Sequence, residues 1–245
     1  IVNLVFAKPV KSYAKFWQMI GRGTRLCPDL FGPGQDKTVF QIFDHWGNFE
    51  YFDELVKEEE PSRSKSLTEL LFEARIKLGE TAVAKQSLDA LKLTTKLLAA
   101  DVNALPEDCL CVREKWREIR SVQKTGVIDA FESATVAVLR REIVPLMQWR
   151  DARGREAAYR LDLLVAKLQE AKLNGSATAD DLREQLIDEV SALPINLVQV
   201  AEKSESIKRA KDLNFYAKAT TSELEQLRVE LRGIMRYRQK KAGAS

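Results

Sequence analysis

Apolar residues recur at helical spacing along most of the chain, but the first fifth follows a different pattern. Residues 1–6 and 38–43 are short apolar runs rich in strand-forming residues, and Ser12 stands where it would cap a helix over about residues 13–20. The order strand, helix, strand predicts a βαβ unit with parallel strands. Because two parallel strands alone bury too little apolar surface, we expect this stretch to belong to a larger α/β domain.

Helical periodicity dominates the rest of the chain. Leucine, isoleucine and valine recur three and four residues apart, which predicts an all-α helical bundle. Two helices hinged near Gly79 are expected first, and a later helix is expected to stop at Gly175. Ser222 and Glu225 form the pattern of a capping box and are expected to begin the last helix.

A charged segment separates these two patterns. Residues 58–66 are rich in charge, are broken by Pro61 and contain no apolar anchor, which is typical of a linker. The expected organisation is a truncated α/β segment over residues 1–57, a linker over 58–66 and a helical domain over 67–245. The expected fold class is therefore mainly α.

Composition narrows the possible chemistry. The 39 basic and 36 acidic side chains give a net charge of +3, so charge alone makes no case for nucleic-acid binding. The three cysteines and the single histidine, His45, lack the paired spacing of a zinc site, and no metal ligand set is expected. His45 follows Asp44, a pair that is more often structural than catalytic.

Two features of the sequence bear on its location. No apolar run approaches the roughly 20 residues that cross a bilayer, so no membrane association is expected. The chain begins with Ile1 and not with the charged and apolar order of a signal peptide. We therefore expect a fragment of a longer cytosolic protein.

The stretch from Gln18 to Arg25 carries the most informative pattern. Arg22 and Arg25 are three residues apart, so a helical or near-helical turn would direct both guanidinium groups to one side, where they could clamp phosphate oxygens. Gln18, one turn earlier, could position a water or a phosphate oxygen. Gly21, like Gly23, could let the main chain pass close to a partner surface. An exposed basic helix end paired with carboxylates is the alternative interpretation.

The octet Gln18 to Arg25 matches motif VI, Q-x-x-G-R-x-x-R, of superfamily two helicases and translocases. Residues 3–10, 16–30 and 41–49 extend the match, and together they closely resemble the motor (R) subunit of type I restriction enzymes. The resemblance is strong over residues 1 to about 55. The helical remainder resembles the C-terminal helical domain of that subunit less specifically, through residues 212–216 and 224–232.

This resemblance implies a RecA-like second motor lobe in a bacterial, cytoplasmic, ATP-dependent type I site-specific deoxyribonuclease. Such a subunit pumps double-stranded DNA, uses ATP and Mg²⁺, and docks onto the methyltransferase and specificity subunits. Carried onto this chain, Gln18, Gly21, Arg22 and Arg25 would contact ATP. Gln18 and the two arginines would be catalytic, with Arg25 as the arginine finger.

Other parts of the motor and nuclease machinery are missing from the sequence. It contains no G-x-x-x-x-G-K-[ST] phosphate loop, no acidic box for magnesium and no nuclease carboxylates. We therefore expect the isolated fragment to be inactive, with no ATP or Mg²⁺ bound.

Arg228, Arg232 and Arg236 are each four residues apart and would share a stripe on one helix. The stripe could touch the DNA backbone without reading sequence, although a solvated helix face is the default interpretation. Two alternatives remain open for the chain. Its helical region could be a pure protein-docking module, or the chain could come from another superfamily two DNA translocase.

Overall fold

A computed structural model describes residues 1–10, 12–25, 27–49 and 65–239. The chain divides into two compact units, Ile1–Ser64 and Lys65–Ser245. The division falls within the predicted linker, most of which, residues 58–64, lies outside the described residues. The chain is mainly helical with a small parallel sheet near its beginning, which confirms the predicted class.

The first unit forms the predicted βαβ arrangement. Strand β1 spans Asn3–Phe6, helix α1 spans Tyr13–Gly23 and strand β2 spans Gln41–Asp44. The strands pair in parallel, with Asn3 opposite Gln41 and Phe6 opposite Asp44. The helix is three residues longer than predicted, and both strands begin later than the apolar runs.

The core of the first unit lies between α1 and the sheet. Phe16 and Ile20 on α1 pack with Phe6 on β1, and the rings of Phe6 and Phe16 stack with centroids 5.3 Å apart. Ser12 caps α1 as predicted, because its Oγ accepts a hydrogen bond from Lys15 N at 3.4 Å. One face of α1 is thereby fixed against the sheet.

The second unit is helical, and its two longest helices, α2 and α8, pack against each other. Their central contacts include Leu71, Tyr159 and Ala166, all buried. The α-helices are α2 Leu67–Ala84, α3 Leu88–Asn103, α4 Leu110–Glu114, α5 Trp116–Gln123, α6 Val127–Ala130, α7 Ser133–Val138, α8 Glu156–Asn174, α9 Thr178–Ser191, α10 Val198–Ala201, α11 Ser204–Lys211, α12 Leu213–Lys218 and α13 Thr221–Arg232. A π-helix, Leu139–Ile143, and the 3-10 helices Val144–Trp149 and Met235–Tyr237 complete the unit.

Gly79 does not form the predicted hinge. Helix α2 runs through it without a break and ends only at Ala84. A Cβ on Gly79 would lie 2.8 Å from Cε2 of Phe131 and closer still to another ring carbon. The glycine therefore makes room for the Phe131 ring, and the hinge prediction is wrong.

The helix caps were predicted with mixed success. Helix α8 ends at Gly175, which has the left-handed φ of 73° that favours glycine, as predicted. The last long helix, α13, begins with a capping box of Thr220 and Glu223 and not of Ser222 and Glu225.

None of the helices in the part of the chain that the structure describes is both long and apolar enough to span a membrane.

Candidate functional site

The motif residues of α1 lie opposite its buried face. Phe16, Ile20 and Gly23, at helical spacing, are buried toward the sheet. Successive residues of an α-helix are rotated by about 100°, so Gln18 and Arg22 fall on the other side of α1. Both are exposed, as is Gly21 between them. The sheet thus holds one side of α1 and leaves the motif side open.

Arg25 follows immediately after α1. Thr24 is the C-cap, with its N donating to Ile20 O at 3.3 Å and its Oγ1 donating to Gly21 O at 3.0 Å. Arg25 is exposed and lies in the turn after this cap. Arg25 therefore follows the last turn of α1 and does not belong to the helix itself.

The two glycines of the motif differ in their surroundings. A Cβ on Gly23 would lie 2.7 Å from Cζ of Phe40 and closer to two other carbons of that ring. Among the described residues, and leaving aside its chain neighbours and the backbone of α1 itself, no atom lies within 4 Å of a Cβ on Gly21. The close approach expected at a glycine therefore occurs within this chain at Gly23, whereas the space beside Gly21 is open.

Lys37 is a component of the site that sequence reasoning missed. Its side chain is buried, and its Nζ donates to the main-chain oxygens of Gly23 and Arg25, the latter at 3.0 Å. The same Nζ lies 5.4 Å from the centre of the Phe40 ring. Nothing in the sequence indicates that a lysine in a loop is buried. The hydrogen bonds from Lys37 to Gly23 and Arg25 also span more than ten residues, so local patterns could not predict them.

Asp44 is engaged by the loop that follows β2. Its carboxylate accepts hydrogen bonds from Trp46 N at 3.2 Å, from Asn48 Nδ2 at 2.8 Å and from Phe49 N at 2.9 Å. Burial alone would raise the pKa of Asp44, but these hydrogen bonds lower it overall. The hydrogen bonds of Asp44 to this loop give the residue a structural role. His45 beside it is exposed.

The predicted stripe of three arginines is not a free surface. Arg228 is buried, with only 8% of its area exposed, and pairs with Asp162 at 2.5 Å and with both carboxylate oxygens of Glu225. Burial would lower the pKa of Arg228, but hydrogen bonds and charge attraction from Glu225 and Asp162 raise it. Arg232 also pairs with Asp162, at 2.9 Å. Arg228 is thus unavailable to a phosphate, which corrects that prediction.

Arg236 lies beyond α13, in the 3-10 helix Met235–Tyr237. It is exposed and donates to Tyr237 Oη at 2.7 Å. Because α13 ends at Arg232, the three arginines do not continue along one helix face. The burial of Arg228 could have been suspected from Glu225 three residues earlier, but Asp162 is far away in the sequence.

The search for a metal site among the described residues and the comparisons with known proteins give no further indication of function. Within residues 1–10, 12–25, 27–49 and 65–239, no group of three or more His, Cys, Asp or Glu side chains is arranged to hold a metal ion. The chain matches no protein-family model, no curated protein and no solved structure. The features of this chain that bear on function are therefore the motif, its geometry and the sequence resemblance.

Proposed function

We propose that the chain is the C-terminal part of the motor subunit of a type I restriction enzyme in a bacterial cytoplasm. In this proposal residues 1–57 complete a RecA-like second motor lobe, and residues 67–245 dock the motor to its partners. The parent subunit is an ATP-dependent DNA translocase and endonuclease whose phosphate loop and magnesium ligands lie outside this chain, while the motif residues of this chain complete the ATP site.

The observation that carries the proposal is the exposure of the motif. Gln18, Gly21 and Arg22 lie on the side of α1 away from the sheet, and Arg25 is exposed in the next turn. An arginine that reaches a nucleotide on another lobe must not be consumed by packing in its own lobe. The alternative of an exposed basic helix end predicts carboxylate partners. Within the described residues, no ion pair is recorded for Arg22 or Arg25.

The sheet gives further support for a larger lobe. Val5 and Phe43 face each other across the two strands, on the face that does not contact α1, and they are 53% and 45% exposed. Parallel sheets in proteins almost always have both faces covered. A lobe with additional elements over Val5 and Phe43 would account for this apolar pair.

The proposed chemistry is phosphoryl transfer to water. ATP would be held by the phosphate loop of the first lobe, and Arg25 would stabilise the negative charge that develops on the γ-phosphate. Arg22 would bind a phosphate oxygen as a second fixed donor, and Gln18 would orient a water or a phosphate oxygen. Hydrolysis would then change the contacts between the lobes and move DNA.

The test is Arg25→Ala in the full-length subunit. Removal of an arginine finger is expected to lower the rate of ATP turnover by about 10³ to 10⁵-fold, because the charge on the transferring phosphoryl group loses its partner. ATP binding should persist, since the phosphate loop lies elsewhere. Steady-state ATP hydrolysis and nucleotide titration measure the two properties separately.

Lys15→Ala is the matched control, because Lys15 is another exposed cation on α1 and lies outside the motif. Its turnover should equal that of the parent. Unaltered turnover in Arg25→Ala would remove Arg25 from the mechanism and with it the proposed function.

Docking to the methyltransferase and specificity subunits is the role proposed for the helical unit. The burial of Arg228 favours this role over a strip of contacts to the DNA backbone, because the first of the three cations of that strip is already paired with carboxylates. A pure docking module therefore remains a good description of the helical unit.

The second alternative is that the chain comes from another superfamily two translocase. Such a protein would share motif VI but not the sequence around it.

A further inference from the structure

The ammonium group of Lys37 is held in an unusual environment. Only 6% of the residue is exposed, and the recorded partners of its Nζ among the described residues are two main-chain oxygens and the Phe40 ring. Lysines are almost never fully buried, because a charge removed from water must find hydrogen-bond acceptors. The two oxygens are those of Gly23 and Arg25, on either side of Thr24.

These oxygens mark the end of α1. The last carbonyl groups of a helix lack partners within the helix and carry partial negative charge, so a cation there is stabilising. Gly23 is the last residue of α1, and Arg25 follows two residues later. A single ammonium group that holds both oxygens fixes the main chain at the arginine.

The segment that leads into β2 reinforces this contact. Phe40 packs against the Cα of Gly23, where any side chain would collide with its ring. Lys37 N donates to Cys27 O at 3.1 Å, which ties the loop to the chain just after Arg25. The main chain around Arg25 is thus attached to the segment that leads into β2, while Arg25 itself stays exposed.

We propose that Lys37 is a positioning residue that aims Arg25. A reactive group works only when its supporting contacts hold it in place, and a displacement of about 1 Å can cost about 100-fold in rate. Lys37 itself touches neither ATP nor water in this proposal. The inference rests on the proposed function, because it requires Arg25 to act on ATP.

The first test is Lys37→Met in the full-length subunit. Methionine keeps an unbranched apolar stem but cannot donate to the two oxygens. The expected result is a fall in kcat for ATP hydrolysis of about 10- to 100-fold, with KM for ATP changed by less than about twofold. Lys37→Arg, which retains the donors, should recover most of kcat. Lys15→Met serves as the exposed-lysine control and should match the parent.

The second test asks whether Lys37 acts through Arg25. Single-turnover ATP hydrolysis is measured in Arg25→Ala with and without Lys37→Met. The two rates should be equal, because a support has no further effect once the supported side chain is gone. A lysine that only stabilises the fold would lower the rate by a similar factor in both backgrounds, and that result would overturn the inference.

The outcomes separate the two proposals. If Arg25→Ala turns over ATP normally, the proposed function fails. If Arg25→Ala is defective but Lys37→Met retains the parent kcat, only the positioning role fails. Should Lys37→Met not fold, Lys37→Gln replaces it in both tests, because its uncharged side chain is one atom shorter than that of lysine and lacks the ammonium group. The same loss of kcat at constant KM is then expected, and a parent-like kcat would overturn the inference.

Discussion

At the scale of single residues, Gly21 and Gly23 serve different needs although they are two residues apart. We expect Gly23→Ala to destabilise the first unit by about 1–3 kcal/mol, because the added Cβ would force the Phe40 ring out of place. Gly21→Ala should instead stabilise it by about 0.5–1 kcal/mol, because the site is open and alanine is the better helix former. Urea unfolding of the two variants measures both changes.

A second substitution checks the cause. Phe40→Leu in the Gly23→Ala background should restore part of the lost stability, since the smaller side chain leaves room for the Cβ.

Gly21→Ala, although more stable, should lower ATP turnover in the full-length subunit if the open side of Gly21 faces the nucleotide. A larger destabilisation from Gly21→Ala than from Gly23→Ala would contradict the packing described here.

At the scale of elements, the sequence predicted what depends on nearby residues. The βαβ unit followed from two apolar runs and the cap at Ser12, and the end of α8 followed from Gly175. The capping box of α13 could not be predicted in this way, because two S/T-x-x-E patterns overlap in the sequence. Which of the two forms the cap depends on partners that are distant in the sequence. Glu225 is occupied by Arg228, whose other partner, Asp162, belongs to a different helix. Non-local contacts of this kind also hid the role of Lys37.

The overlap of the two patterns gives a matched pair of variants. Thr220→Ala should cost about 1 kcal/mol of unfolding free energy, because the Thr220 hydroxyl accepts a hydrogen bond from Glu223 N at 3.2 Å. Ser222→Ala, at the position predicted from sequence, should change it by less than about 0.5 kcal/mol. Chemical denaturation at neutral pH compares them, and a larger loss from Ser222→Ala would place the cap two residues later.

The same box should respond to pH. Hydrogen bonds from the Thr220 main chain and hydroxyl lower the pKa of Glu223 below its usual 4.5. A carboxylate whose folded pKa is lowered stabilises the fold above its unfolded pKa, and this contribution fades as pH falls through the folded value. The stability gap between the parent and Thr220→Ala should therefore narrow as the pH is lowered below 4.5.

At the scale of the whole molecule, buried ion pairs connect the elements of the helical unit. Asp101 on α3 accepts from Arg150 Nη1 at 2.6 Å and also from Arg75 on α2. Arg150 and Arg232 both lie over the Tyr159 ring on α8, at 5.6 Å and 5.3 Å from its centre. Arg232 and Arg228 share Asp162. This chain of contacts links two apolar clusters of the unit, one running from α2 to the 3-10 helix Val144–Trp149 and the other from α8 to the 3-10 helix Met235–Tyr237.

Arg228 is therefore expected to matter for folding more than for any surface contact. Arg228→Ala removes the shared partner of Asp162 and Glu225, and breaking a buried ion pair from one side costs about 3–5 kcal/mol. Arg236→Ala removes an exposed arginine of the same predicted stripe and should cost less than about 0.5 kcal/mol. Urea unfolding of both variants tests this directly. Equal transition midpoints would mean that Arg228 is solvated, which would contradict its burial against Asp162 and Glu225.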